Sequence, residues 1–465
     1  MKNISHILLA FIIISPFYSG CKKSFLDEKP STSIVQPTTI EEFQSLLDNY
    51  DVVNVTTGLG ILAADDYSFY SDAVWQSART ATQRNSYVWA RDLYEGEVLD
   101  DWNKPYSAIF YANSVLLGLD KLPVTSFNGS QWNHTKGWAL FVRAFAYYEL
   151  VNDFAAMYDA ENATNDLGVP LRLNPSIDEL LPRSSVKENY NRIIADLTLA
   201  SQLLNTSLPL ANRNRPSKVA AHALFARIYL NMRDYGKAEL HADTCLQLYN
   251  KLIDYNTLSK TSSTPFSLTN DELIYSKLAA NKPAYSANST YTHILPDLIN
   301  LYSPNDLRLV LYYAKQADGS YRMKRGYHGN GANPFTGLAT DEVYLIKAEC
   351  LARRGIAAGA IEVLNQLLIK RWNPSATMPA LPYKNIEATS AGDALNKVLL
   401  ERRKELVWRG LRWGDIKRLN KEGADITLTR TIMGTTYSLV PNSPRYIFPI
   451  PDDEIALSGI QQNIR

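Results

Sequence analysis

The chain opens with an unbroken apolar run, Ile7–Ile14 ("ILLAFIII"), and then turns polar and proline-punctuated as far as Pro37. Beyond Pro37 the apolar positions recur at helical spacing. Ile40, Phe43, Leu46 and Leu47, behind Thr39 and Glu42 at capping-box separation, predict a first helix. Further helices are predicted over Val98–Leu122, Trp138–Val151 and Val186–Leu204. In the first of these Tyr106, Ile109, Phe110, Asn113, Leu116 and Leu117 share one side, and Trp102 and Tyr106 belong to the core.

A repeat then emerges. Ala226 is followed by Tyr229, Ala238, Ala242 and Cys245, and Ala348 by Leu351, Ala360, Leu364 and Leu367, both sets at offsets of 3, 12, 16 and 19 residues. That is tetratricopeptide spacing, in which two antiparallel helices meet through small residues. "RDYG" separates the first pair, and Gly355 closes the leading helix of the second. Ala144, Tyr147 and Ala156 start the same pattern and then run into loop chemistry, so that segment reads as the second helix of an earlier pair. Long irregular stretches divide the repeats, which argues against an uninterrupted solenoid.

Those stretches are rich in aromatics. Asp65–Tyr106 carries Tyr67, Phe69, Tyr70, Trp75, Tyr87, Trp89, Tyr94 and Trp102 among Asp, Ser, Arg and Asn; Pro283–Phe335 carries Tyr285, Tyr291, Tyr321 and Tyr327. Loops this long are functional or disordered, and their aromatic content speaks against disorder. With 28 Tyr in 465 residues, the composition suits a surface of flat apolar faces edged with hydroxyls.

A formal net charge of +1 provides no basic excess to neutralise phosphates, which argues against a nucleic-acid binder. The six histidines are scattered and no CxxC or HExxH spacing occurs, so neither a zinc site nor another cofactor is expected. Cys245 and Cys350 lie within helical patterns and read as core, with a disulfide between them left open. The N-terminal apolar stretch, roughly 14 residues, is too short to span a bilayer and reads as a secretory signal. Ser19 and Gly20 precede Cys21 in a pattern that resembles the bacterial lipobox, making Cys21 the expected lipid attachment point; an ordinary signal peptide cut nearby is the alternative.

Several motifs converge on one family. "CKKSFLDEKPST" followed by "TTIEEFQSLLDN" resembles the N-terminus of SusD/RagB outer-membrane lipoproteins. "EVYLIKAECLARRGIAAGAIEVLNQLLIKR" is similar to their last repeat pair, "LLERRKELVWRGLRWGDIKRLN" to their signature helix, and "YIFPIPDDEIALSGIQQN" to their closing segment. Trp408-Arg409 and Gly414 depart from the usual residues of that signature. The resemblance implies a mainly α fold, with tetratricopeptide-like helical repeats and a large loop-rich, irregular region packed on them. It divides the chain into a signal peptide (1–20), a tether (21–37) and a single domain (38–465), whose N-terminal part covers about 38–250 and whose C-terminal signature part covers about 270–465. It also implies a non-enzymatic, surface-exposed outer-membrane protein that binds nutrient ligands, glycans or peptides, and passes them to a TonB-dependent transporter.

Within the signature segment, Glu405–Arg409 and Arg412–Asp415–Arg418 are spaced for pairing along one helix, a structural lock in preference to a catalytic set. In the family, ligand contacts come mainly from the two loop regions that are aromatic-rich here. Composition then selects Tyr70, Trp75, Arg79 and Trp89 as ligand-binding candidates, with Tyr285, Tyr291 and Tyr327 as weaker partners. Two rivals remain. A surface glycosidase would use acid pairs such as Asp65-Asp66 or Asp100-Asp101. A general tetratricopeptide scaffold would bind peptides in a groove.

Overall fold

The computed structural model describes residues 37–465 apart from Ile177, Arg325 and Asn330; the signal segment, Cys21 and most of the tether lie outside the described residues. Thr39 caps the first helix, α1 (Ile40–Leu47), and the Glu42 carboxylate accepts the Thr39 N–H at 3.0 Å, completing the expected capping box. The helical layer continues through α2 (Asp100–Leu119), α3 (Gly129–Phe154), α4 (Val186–Leu203), α5 (Lys218–Asn231), α6 (Tyr235–Leu248), α7 (Thr340–Arg353), α8 (Ala357–Leu368) and α9 (Ala391–Glu405). Consecutive members pack side by side, and α6 packs directly on α7 although the chain between them is long. The stack that looks interrupted in sequence is therefore continuous in space, and the insertion is looped out of it.

The repeat positions do what their spacing implies. Ala226, Ala238, Ala242 and Cys245, and likewise Ala348, Ala360, Leu364 and Leu367, are buried between their helices. Small side chains there let two backbones approach closely. Gly355 ends α7 with φ +86°, a left-handed conformation suited to glycine. Cys245 and Cys350 are buried free thiols.

Two helices differ from expectation. The contact face of α2 is made of Ala108, Ile109, Ala112, Val115 and Leu119, while Phe110 and Leu117 point outward. Helix α3 is much longer than predicted because its extra N-terminal turns, from Gly129 to Lys136, are mostly polar and exposed or half-buried, so no apolar stripe marks them.

The signature segment is not one helix. Helix α9 stops at Glu405, Trp408 and Gly410 turn the backbone through φ +57° and +71°, and α10 (Arg412–Asn420) starts in a new direction. The predicted Glu405–Arg409 pair consequently does not form. Glu405 accepts from Arg308 (2.9 Å) and Arg371 (2.8 Å), Arg409 reaches Asp341 (3.1 Å), and Arg412 grips Asp65 (2.7 and 2.8 Å). Asp415–Arg418 does form, at 2.9 Å. The two sequence departures have local uses. The Trp408 ring packs against Tyr67 and Tyr285, and Gly414 lines a polar chamber of about 50 Å³ that also touches Glu149, Asp153 and Asn231. A Cβ at Gly414 would lie 3.2 Å from Asn152 Oδ1.

The irregular region has its own aromatic core, among whose members are Tyr67, Phe69, Tyr87, Tyr255, Tyr312, Tyr313 and Trp408. Its tyrosines satisfy one another, Tyr255 with Tyr312 and Tyr302 with Tyr313, each pair at 2.9 Å between hydroxyls. Much of the tyrosine content is thus interior, where a ring fills space and its hydroxyl finds a partner. Among the described residues strands are short and paired in twos. They include β1 (Tyr67–Phe69) with β2 (Thr292–Ile294), and β3 (Tyr313–Lys315) with β4 (Tyr321–Met323), both antiparallel.

Candidate ligand-binding site

Strand alternation decides which aromatics can meet a ligand. In the β1–β2 pair Tyr67 and Phe69 of one strand and Thr292 and Ile294 of the other face the aromatic core, and Ser68 sits opposite His293 on the outer side. The same parity carries Tyr70 and Tyr291 outward, joined by the Tyr70 N–H donating to the Tyr291 carbonyl at 3.1 Å. The β3–β4 hairpin lies alongside, tied by the Asn288 N–H to the Met323 carbonyl at 2.8 Å. Its turn is Asp318-Gly319-Ser320, with Gly319 at φ +85°.

These elements converge on Tyr70. Its ring leans on the His293 ring at 4.9 Å between centroids, its hydroxyl contacts Ser320 Oγ at 3.0 Å, and Arg322 Nε donates to that hydroxyl at 2.9 Å. Asp318 accepts from the Ser320 N–H and hydroxyl, fixing the turn. Burial lowers the His293 pKa, against a weaker opposing pull from Asp318, which favours a neutral imidazole. The result is a half-exposed ledge of two phenol rings, an imidazole, a hydroxyl and a guanidinium. Such a surface can stack on the CH face of a sugar and hydrogen-bond its oxygens.

The composition-based candidates divide accordingly. Tyr70 and Tyr291 lie on the ledge. Trp75, in the short helix Asp72–Gln76, is half-buried and donates its indole N–H to the Arg84 carbonyl at 3.1 Å; Arg79 is exposed and has no hydrogen bond or ion pair to the ledge among the described residues. Trp89, Tyr285 and Tyr327 are corrected to core, at 2%, 0% and 7% exposure. Trp89 donates to the Ala63 carbonyl, Tyr285 to the Ala280 carbonyl and Tyr327 to Glu272, so ring and polar end are occupied in each. His293, Ser320 and Arg322 escaped composition; the alternation in "YTHI" and "SYRM" was their signal, and strands of three residues are too short to read alone.

Three of the four acids named for a glycosidase are engaged in the fold, and Asp100 is exposed. Asp65 and Asp66 hold Arg412 and Arg403, and those arginines keep the Asp65 carboxyl well below the usual range despite its burial. Asp101 accepts the Gly58 and Leu59 N–H groups and pairs with Lys282 at 3.2 Å. A second aromatic feature lies apart from the ledge. A depression of about 380 Å³ beside α9 presents Trp372 and Tyr383 edge to face at 6.0 Å. Among the described residues no helix is long and apolar enough to cross a membrane.

Comparison with known proteins agrees with this architecture. The family described as "starch-binding associating with outer membrane" (SusD-like) matches residues 24–230, and the SusD family matches residues 310–464. SusD-like protein P38 of Formosa agariphila is 23% identical over 390 residues, covering 69% of this chain and 72% of that protein. A putative sugar binding protein from Bacteroides vulgatus superposes with a TM-score of 0.74 at 23% identity, over 92% of this chain and 99% of its own. A laminarin binding SusD-like protein superposes at 0.64 and 19% identity, over 92% and 99%.

Proposed function

This chain belongs to the SusD/RagB family, and from that membership we propose that it is a surface binding lipoprotein that captures nutrient oligosaccharides and hands them to a TonB-dependent outer-membrane transporter. In this reading Cys21 carries the lipid, the tether runs from the membrane to α1, and the body faces the cell exterior. The observation that carries ligand capture is the Tyr70–Tyr291–His293–Arg322 ledge, where rings and hydrogen-bonding groups are held on one face by short paired strands. The family consists of binding proteins, and no step of chemistry is assigned to the ledge.

Calorimetry against a panel of oligosaccharides tests capture. Tyr70→Ala is expected to weaken binding of the best ligand about tenfold or more, in line with loss of a ring and its hydrogen bonds. Trp372→Ala is expected to leave it unchanged. The opposite pattern would move the site to the depression beside α9, and a peptide ligand would replace the glycan reading with the peptide-binding alternative. Transport coupling is tested by isolating the protein from gently solubilised outer membranes. A TonB-dependent barrel should accompany it, and recovery only as a free monomer, where other such complexes survive, would count against hand-over.

A further inference from the structure

Arg322 differs from the half-buried arginines in and against the signature segment. Arg412 holds Asp65, Arg403 holds Asp66, and Arg353 holds Glu349 and Glu422. Arg322 makes no ion pair among the described residues. Only its Nε is used, donating to the Tyr70 hydroxyl, with the guanidinium carbon 5.2 Å from the Tyr70 ring centroid. Both Nη groups lack a protein acceptor among the described residues. The acid whose field reaches it, Asp318, is held by Ser320 through one carboxylate oxygen and does not pair with it.

The side chain is nevertheless held in place. Tyr70, which positions it, is itself fixed by Ser320, by the His293 ring and by the strand bond to Tyr291. A guanidinium anchored through Nε presents its two Nη as a planar fork, which matches two oxygens of a carboxylate or sulfate. Because the fork is already ordered, little conformational entropy remains to be lost on binding. A neutral sugar hydroxyl would engage only part of it.

We propose that the ledge selects acidic oligosaccharides, with Arg322 gripping a carboxylate or sulfate ester at the edge of a sugar ring that rests on the Tyr70–Tyr291 face. This rests on the glycan-binding reading above. The test is calorimetry of the wild type, Arg322→Gln and Arg322→Lys with four probes: tetragalacturonate, its fully methyl-esterified form, a sulfated galactan tetrasaccharide and neutral laminaritetraose. The wild type should prefer an acidic probe over both neutral ones. Arg322→Gln should weaken that acidic probe roughly ten- to hundred-fold and leave binding of the neutral probes within about twofold. Arg322→Lys should recover part of the loss, since it keeps charge but not the fork. The acidic probe that responds identifies carboxylate or sulfate as the group read. Wild-type affinity for both acidic probes no higher than for the neutral ones, or an Arg322→Gln variant that binds the preferred acidic probe unchanged, would overturn acidic selection while leaving glycan capture standing. Binding of none of the four probes would count against the glycan reading itself.

Discussion

Arg418→Met is the most direct test of the buried charge lattice. Arg418 is fully buried; its two Nη groups donate to Glu349 at 2.5 and 2.8 Å, and its Nε donates to Asp415 at 2.9 Å. Removing one partner from a buried pair costs about 3–5 kcal/mol, because the remaining charge stays desolvated. Here Glu349 keeps Arg353 at 2.8 Å and Asp415 keeps Arg402 at 2.9 Å, which places the cost near the lower end. At about 2.1 cal/mol/K per residue, roughly 430 ordered residues give an unfolding entropy of about 0.9 kcal/mol/K, so the expected fall in Tm is about 3 °C.

The pH dependence separates lost charge pairing from lost packing. In the wild type burial opposes ionisation of both acids, but the arginines win; Glu349 is held below its ordinary value and Asp415 down at about 2. A depressed carboxyl contributes stability that is present above its unfolded pKa and is lost as pH falls through the folded value, here from about pH 4 toward 2. Without Arg418 burial regains weight and both carboxyls move up, so the variant suffers most where they must be charged. The Tm deficit should hold from pH 7 down to about 4 and shrink as the pH falls from there toward 2. Differential scanning calorimetry between about pH 3 and 7 reads this. A deficit below about 1 °C, or one that stays constant across that range, would refute the argument.

Trp89→Ala should lower stability by about 3–5 kcal/mol by opening a core cavity, yet leave the affinity of folded protein for its ligand unchanged; thermal melts and calorimetry on the same sample check both. Ala242→Phe, between α5 and α6, should force those backbones apart and cost about 1–3 kcal/mol or more, read as a shifted denaturation midpoint. Cys21→Ala should release the protein from the membrane fraction, and unchanged membrane association would remove the lipid-anchor proposal.

Features carried by neighbouring residues were legible in the sequence. The Thr39–Glu42 box lies within one turn and the alanine spacings at 226–245 and 348–367 within one pair of successive helices, and the structure has them where the spacing puts them. What depends on distant partners was not. No local rule turns the backbone at Trp408 against a strong helical pattern. The turn is repaid by a ring wedged against Tyr67 and Tyr285 from remote parts of the chain. Composition cannot separate Tyr70 from Tyr67 either, since the difference is strand parity, and the partner strand of β1 lies more than 200 residues away.

The same long-range logic explains why the signature segment carries so much charge although it does not enter the proposed binding ledge. Its cations reach distant parts of the chain. Arg409 grips Asp341, and Arg403 and Arg412 take Asp66 and Asp65, the two residues immediately before β1. A strand of three residues is not stable on its own ladder bonds, so β1 needs fixed ends. Asp65 and Asp66 supply one of them, and Tyr70 follows a few residues later with its orientation set. On the binding role proposed for Tyr70, the charged C-terminal segment acts on ligand capture at a distance, through the register and rigidity of the strand that presents that residue.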